Sequence, residues 1–154
     1  TGFLCTDVLA EVLCQYGHID TLLKLLESED MGSYLYMKRH GATTIWENWN
    51  GQDSRNHPMF GAVTKYIFMY LLGICQPENG AAYESVIINP RFVDGLDRAK
   101  GHITTENGKI SVEYEKSGNT ATVRVFADPK INAIFEHNGE KTPFSGEREF
   151  IVEV

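Results

Sequence analysis

The sequence predicts an α+β chain of two units: helices over residues 1–77 and an antiparallel β-sandwich over 78–154. Three observations predict it. Apolar residues recur at helical spacing before Pro77 and alternate after it. Asn107-Gly108, Gly118-Asn119 and Asn138-Gly139 punctuate the second half with turn chemistry. The last helical stretch before Pro77 is apolar around most of its circumference, so it expects packing on every side.

The helices follow in order. Phe3, Leu4, Val8, Leu9, Val12, Leu13 and Tyr16 form one stripe, which Gly17 ends. Ile19, Leu22, Leu23 and Leu26 form a second, with Glu27, Glu29 and Asp30 on the wet side. A link of a few residues between them implies an αα-hairpin. A shorter helix fits Ser33–Arg39. Pro58 opens a fourth, because its missing N–H costs nothing in a first turn, and Asn56 or His57 would cap it. Phe60, Val63, Tyr66, Ile67, Phe68, Met69, Tyr70, Leu71, Leu72 and Ile74 then run round that helix, and its outer surface asks for further helices.

The strands follow by alternation. Val86 and Ile88 precede Pro90; Ile110, Val112 and Tyr114 alternate with polar residues; so do Ala121, Val123 and Val125. Ile134 with Phe135, and Phe150 with Val152 and Val154, supply the remaining strands. Short strands joined by tight turns make a sandwich or partial barrel.

Composition narrows the function. The chain has 154 residues and a net charge of −7, without the clustered Lys and Arg that nucleic-acid binding needs. No apolar run reaches the length of a membrane span, and the first residues lack the basic-then-apolar order of a signal peptide. Cys5, Cys14 and Cys75 form neither a disulfide framework nor a zinc spacing and read as buried thiols. Periplasmic and cytoplasmic locations both fit.

Between the third and fourth helices, Gly41–His57 reads GATTIWENWNGQDSRNH. It is too polar and Gly-rich for a helix, yet both tryptophans of the chain, Trp46 and Trp49, flank Glu47 within it. Sugars have a polar rim and an apolar face, so their sites combine aromatic rings with carboxylates and amides. A carboxylate among aromatics is partly desolvated, which suits it to proton transfer near neutral pH. A plainer reading stands beside this one. The tryptophans could plug the end of a helical bundle with Glu47 in water, His57 could be only a helix-start residue, and Asn48, Asn50 and Asn56 only turn formers. Asp53 could be solvent-exposed. Asp7, Glu11 and Asp20 read as ordinary helix-surface charge.

GATTIWENWNG followed by SRNHPMFGAV resembles the signature near the end of the catalytic domain of glycoside hydrolase family 78, the inverting α-L-rhamnosidases. TGFL, YGHIDTLLKLL and YLLGI are similar to helices around that signature, and VIINP, KISVEYE and REFIVEV to its C-terminal sandwich. The resemblance implies the closing helices of an (α/α)6 barrel followed by the sandwich. It implies hydrolysis of terminal α-L-rhamnosyl linkages, with a rhamnose-containing glycan or glycoside as substrate and no metal or organic cofactor. It maps the general base onto Glu47 and a contact with the sugar onto His57, with Trp46 and Trp49 shaping the pocket. The general acid of the family lies upstream, so the partner of these residues is the N-terminal part of a longer parent chain, and this stretch alone would be inactive. The sequence departs from the family where Asn48 replaces a common Arg or Thr, and where TKYIFMYLL lacks the usual acidic residue and Trp. Two alternatives remain at this stage: another (α/α)6-barrel glycoside hydrolase, or a non-catalytic carbohydrate-binding or interaction module.

Overall fold

The computed structural model describes residues 2–154, with Phe3 described by its backbone alone. The chain forms two compact units that meet between Tyr66 and Ile67.

In the first unit, α1 spans Phe3–Gln15 and α2 spans Ile19–Glu27, and the two pack together across the Tyr16–His18 link. The buried side of α1 is not its apolar stripe. Ala10 and Cys14 are buried, whereas Leu4, Val8, Val12 and Tyr16 are exposed along the opposite side. Helix α3, Tyr34–Arg39, starts at the buried Ser33, whose hydroxyl accepts the Tyr36 N–H at 3.1 Å and donates to the Ser28 carbonyl. That satisfies a first-turn donor that would otherwise be orphaned. No helix among the described residues is long and apolar enough to cross a membrane.

The fourth helical stretch is not one regular helix. Pro58–Ala62 is a 3₁₀ turn, α4 spans Val63–Tyr66, and Ile67–Leu71 is a π-helical turn in which the Leu72 N–H reaches the Ile67 carbonyl. His57 sits at the N-cap position without a capping side-chain bond. The apolar circumference expected to need outside helices is divided at the unit boundary. Phe60 packs with Met37 and Trp46 in the first unit, while Phe68 and Leu72 pack into the sandwich core of the second. The uncovered apolar surface of the first unit therefore lies mainly on α1.

The second unit is a sandwich of two four-stranded sheets. One runs in the order β1 (Ile74–Cys75), β2 (Ser85–Ile88), β6 (Asn132–His137), β7 (Glu140–Phe144). The other runs β3 (Arg98–Thr105), β4 (Gly108–Ser117), β5 (Thr120–Ala127), β8 (Gly146–Glu153). Alternation aims Ile110, Val112 and Tyr114 of β4 and Val123 and Val125 of β5 into a core shared with Val86, Ile88, Ala133 and Phe135 of the facing sheet. All three Asn/Gly turns close hairpins: Thr105 pairs with Gly108, Ser117 with Thr120 and His137 with Glu140. One pair departs from an all-antiparallel sandwich. β2 and β6 run parallel, Ser85 opposite Asn132 through Ile88 opposite Phe135. A parallel pair needs a long crossover, and here the chain from Asn89 to Ile131, which contains β3, β4 and β5, supplies it.

Gly73 makes the sandwich entrance possible. It has φ +69°, its carbonyl accepts the Asn89 N–H at 2.9 Å, and a Cβ there would lie 2.1 Å from the Asn89 carbonyl carbon. No other residue type fits so close to fixed backbone at that dihedral.

The three cysteines are free thiols, and they differ from the buried set expected. Cys14 is buried and Cys75 half-buried, and burial pushes both thiols up, but Cys5 is exposed on the outer side of α1.

Candidate active site

Gly41–His57 folds as an irregular hairpin. Its arms are laddered by the His57 N–H donated to the Ile45 carbonyl at 2.8 Å and the Glu47 N–H donated to the Ser54 carbonyl at 2.8 Å. The Thr44 hydroxyl donates to the Arg55 carbonyl. The tip is a turn closed by the Gly51 N–H on the Asn48 carbonyl at 3.0 Å, with the Asn50 side chain accepting the Gln52 N–H at 3.1 Å. The Asn-rich composition read as turn chemistry is used in that way here. The same ladder carries Glu47 and His57 on opposite arms of one loop.

Glu47 is half-buried, and its Oε2 accepts the Ser54 N–H at 3.2 Å. One side-chain oxygen is thus fixed by backbone, and Oε1 is the other acceptor. Next to that rung, the Asn48 amide donates to the Asp53 carboxylate at 2.5 Å. Asp53 is exposed and has φ +60°. His57 is half-buried, with its Nδ1 inside.

The aromatics form the floor. Trp46 is only 5% exposed and packs with Met37 and Phe60, while the Arg55 guanidinium lies 5.6 Å from its ring centre. Gly51, at φ +75°, passes so near that a Cβ would sit 3.0 Å from the Trp46 ring. Trp49 is half-buried, 4.1 Å from Phe60 between ring centres and edge-on to Tyr34 at 5.6 Å. The Tyr34 hydroxyl donates to the Phe60 carbonyl at 2.5 Å, and burial raises its pKa to about 12. The two tryptophans therefore differ: Trp46 supports the loop from inside, and Trp49 is partly open.

Sequence reasoning did not single out Tyr34, Ser54 or Arg55. Ser54 acts through its backbone N–H, which carries no residue signal at all. Tyr34 could have been found as the one hydroxylated aromatic opposite Trp49, but only with the fold in hand.

Two further polar groupings lie elsewhere. Tyr66, buried, donates to Asp7 at 2.9 Å, and Lys65 pairs with Asp7 at 3.1 Å. The hydrogen bonds from Lys65 and Tyr66 hold the Asp7 carboxyl below its usual range. This tie joins α1 to α4, so Asp7 is more than surface charge. In the second unit a cleft of about 390 Å³ is bordered by Arg98, Lys100, Glu113 and Glu115, with Lys100 already paired to Glu113 at 2.7 Å. Among the described residues no group of three or more His, Cys, Asp or Glu is arranged to hold a metal ion.

Known proteins share this organisation. Residues 1–71 match the family model of the bacterial alpha-L-rhamnosidase 6 hairpin glycosidase domain, and residues 73–129 that of the bacterial alpha-L-rhamnosidase C-terminal domain. An alpha-L-rhamnosidase of Alteromonas sp. (strain LOR) is 33% identical over 146 residues, and one of Formosa agariphila is 33% identical over 147. Each alignment covers 88% of this chain, which spans only 16% of either relative. The crystal structure of the Streptomyces avermitilis alpha-L-rhamnosidase complexed with L-rhamnose superposes with a TM-score of 0.87 at 24% identity, covering 99% of this chain and 18% of that one. That likeness establishes the fold.

Proposed function

Because the chain belongs to the bacterial α-L-rhamnosidase family, we propose that the protein of which it is a part hydrolyses terminal α-L-rhamnosyl linkages with inversion. Glu47 is the general base. Its Oε1 takes a proton from a water molecule as that oxygen bonds to the anomeric carbon. A carboxylic acid upstream of these residues protonates the departing glycosidic oxygen, and the sugar leaves with inverted configuration. The two carboxyl groups of such a pair stand roughly 6.5–9.5 Å apart, leaving room for the water. His57 orients the sugar hydroxyls from the facing arm of the loop. Trp49 shapes the pocket wall, and Trp46 shapes it from beneath.

The observation that carries this reading is the Ser54 N–H bonded to one oxygen of Glu47 at 3.2 Å, on the loop that also holds His57. A base needs a fixed direction, and a backbone donor fixes it without neutralising the group. The exposed α1 stripe of Leu4, Val8, Val12 and Tyr16 supports a place for upstream barrel helices.

In the full-length enzyme, Glu47→Gln lowers kcat on an aryl α-L-rhamnoside by about a hundredfold or more, while L-rhamnose still binds in calorimetry. A near-normal rate would remove Glu47 from the chemistry. Faster turnover of a different aryl glycoside would redirect the substrate assignment to another sugar. The 154-residue chain alone should give no turnover, since one carboxylate cannot perform both proton transfers.

A further inference from the structure

We propose that Asn48 and Asp53 are positioning residues for Glu47, acting together to aim the Ser54 N–H at its carboxylate; this rests on the assignment of Glu47 as the base. The N–H of Ser54 belongs to the peptide that joins Asp53 to Ser54, so its direction is set by the backbone dihedrals of Asp53. Those dihedrals are unusual: Asp53 has φ +60°, a region that an L residue other than glycine enters at a cost. Asp and Asn pay the least for it, because a short polar side chain can bond locally.

The local bond is present. Asn48 Nδ2 donates to Asp53 Oδ2 at 2.5 Å. This side-chain rung lies one step nearer the tip than the rung in which Glu47 and Ser54 exchange two bonds, at 2.8 and 3.2 Å. The far side of Asp53 is tied as well, through Arg55 Nε donated to the Gly51 carbonyl at 3.1 Å and the Arg55 guanidinium over the buried Trp46. Asp53 thus sits in a short segment braced at both ends, with its side chain tied to Asn48. Without that tie nothing holds position 53 at φ +60°: an Asp relaxes towards negative φ, and a Gly samples both signs. The peptide plane then rotates and the Ser54 N–H turns away from Glu47 Oε2. The base stays present but loses its direction, which affects the step it performs and not the binding of the sugar.

The test uses the full-length enzyme with an aryl α-L-rhamnoside. Asn48→Ala deletes the donor. Asp53→Gly deletes the acceptor while tolerating positive φ. Asp53→Asn keeps both an acceptor oxygen and that tolerance. The first two lower kcat about tenfold to a hundredfold with KM within about twofold, the scale on which misplacing a catalytic group acts. Asp53→Asn restores kcat to within about threefold of the parent, and neither Asn48→Ala nor Asp53→Asn moves the melting temperature appreciably. In a Glu47→Gln background, Asn48→Ala adds no further loss, because residues acting through one group are not additive. Parental kcat in both Asn48→Ala and Asp53→Gly overturns the positioning role, as does a fall in kcat matched by a rise in KM or by loss of folding. If Glu47→Gln itself turns over normally, the base assignment fails first, and that outcome is distinct from an inactive Glu47→Gln beside fully active Asn48→Ala and Asp53→Gly.

Discussion

Tyr114 carries a hydroxyl into the sandwich core, where it is 1% exposed and has no hydrogen-bond partner among the described residues. Its ring meets Phe92 edge-on at 5.0 Å between centres. A buried, unmatched hydroxyl costs desolvation without return, so Tyr114→Phe keeps the ring contact and removes the penalty. Unfolding should become harder by about 1 kcal/mol, read as a shift of the denaturant midpoint without change of slope. A lower midpoint would mean that the hydroxyl has a role in the fold. At this scale the site was partly legible. Glu47, His57 and the two tryptophans stand out because carboxylate, imidazole and indole are rare together in a polar stretch. Asp53 and Ser54 do not, because what they contribute is a backbone dihedral and a backbone N–H. Composition also left Trp46 open between plug and pocket wall, and its packing with Met37 and Phe60 is a matter of tertiary contact.

At the level of elements, turn chemistry was the clearest signal. Each Asn/Gly pair closes the hairpin it marks, and Asn138 at φ +49° followed by Gly139 at φ +83° is the backbone such turns need. β3 was not legible. Its RAKGHITT run has only Ala99 and Ile103 as apolar markers, since one face of that sheet bears a charge ladder that includes Lys100–Glu113 and Arg124–Glu149. β7, EKTPF, was hidden by Pro143 and by being exposed nearly throughout. The first helix gave the reverse problem: its apolar residues were visible as one stripe, but not which of them would be left uncovered. Leu4, Val8, Val12 and Tyr16 share that uncovered side of α1. Val8→Lys combined with Val12→Lys should leave the melting temperature of the isolated chain within about 2 °C and reduce its self-association in light scattering, because both side chains are already exposed. A large drop in melting temperature would show that the stripe is covered within the chain.

For the whole molecule, alkali should be the more damaging direction. Burial raises Tyr34 and Tyr114 to about 12, and burial with the bond to Asp7 raises Tyr66 to about 12 despite the nearby lysine. These folded values lie above the ordinary tyrosine value of about 10, so the folded state holds the protons more tightly. The folded state therefore keeps its full stability below pH 10 and loses it progressively as pH rises towards 12, because burial disfavours the phenolate. Asp7 works in the opposite sense. Its lowered value contributes stability above the ordinary carboxylate range, lost only as pH falls through the depressed value. Thermal melts paired with tyrosine absorbance should show the midpoint falling between pH 10 and 12 as phenolate forms, and a flat midpoint there would contradict the burial of these rings. The parallel pairing of β2 with β6 has a consequence for how the chain assembles. β2 leaves the ribosome early, but its neighbour does not exist until synthesis has passed residue 137. Until then Val86 and Ile88 border an open edge, and the intervening hairpins are free to close on their own. The leaf made of β1, β2, β6 and β7 is therefore the last to be completed, and a nascent or clipped chain ending near residue 129 would carry a sticky half-sheet with nothing to seal it.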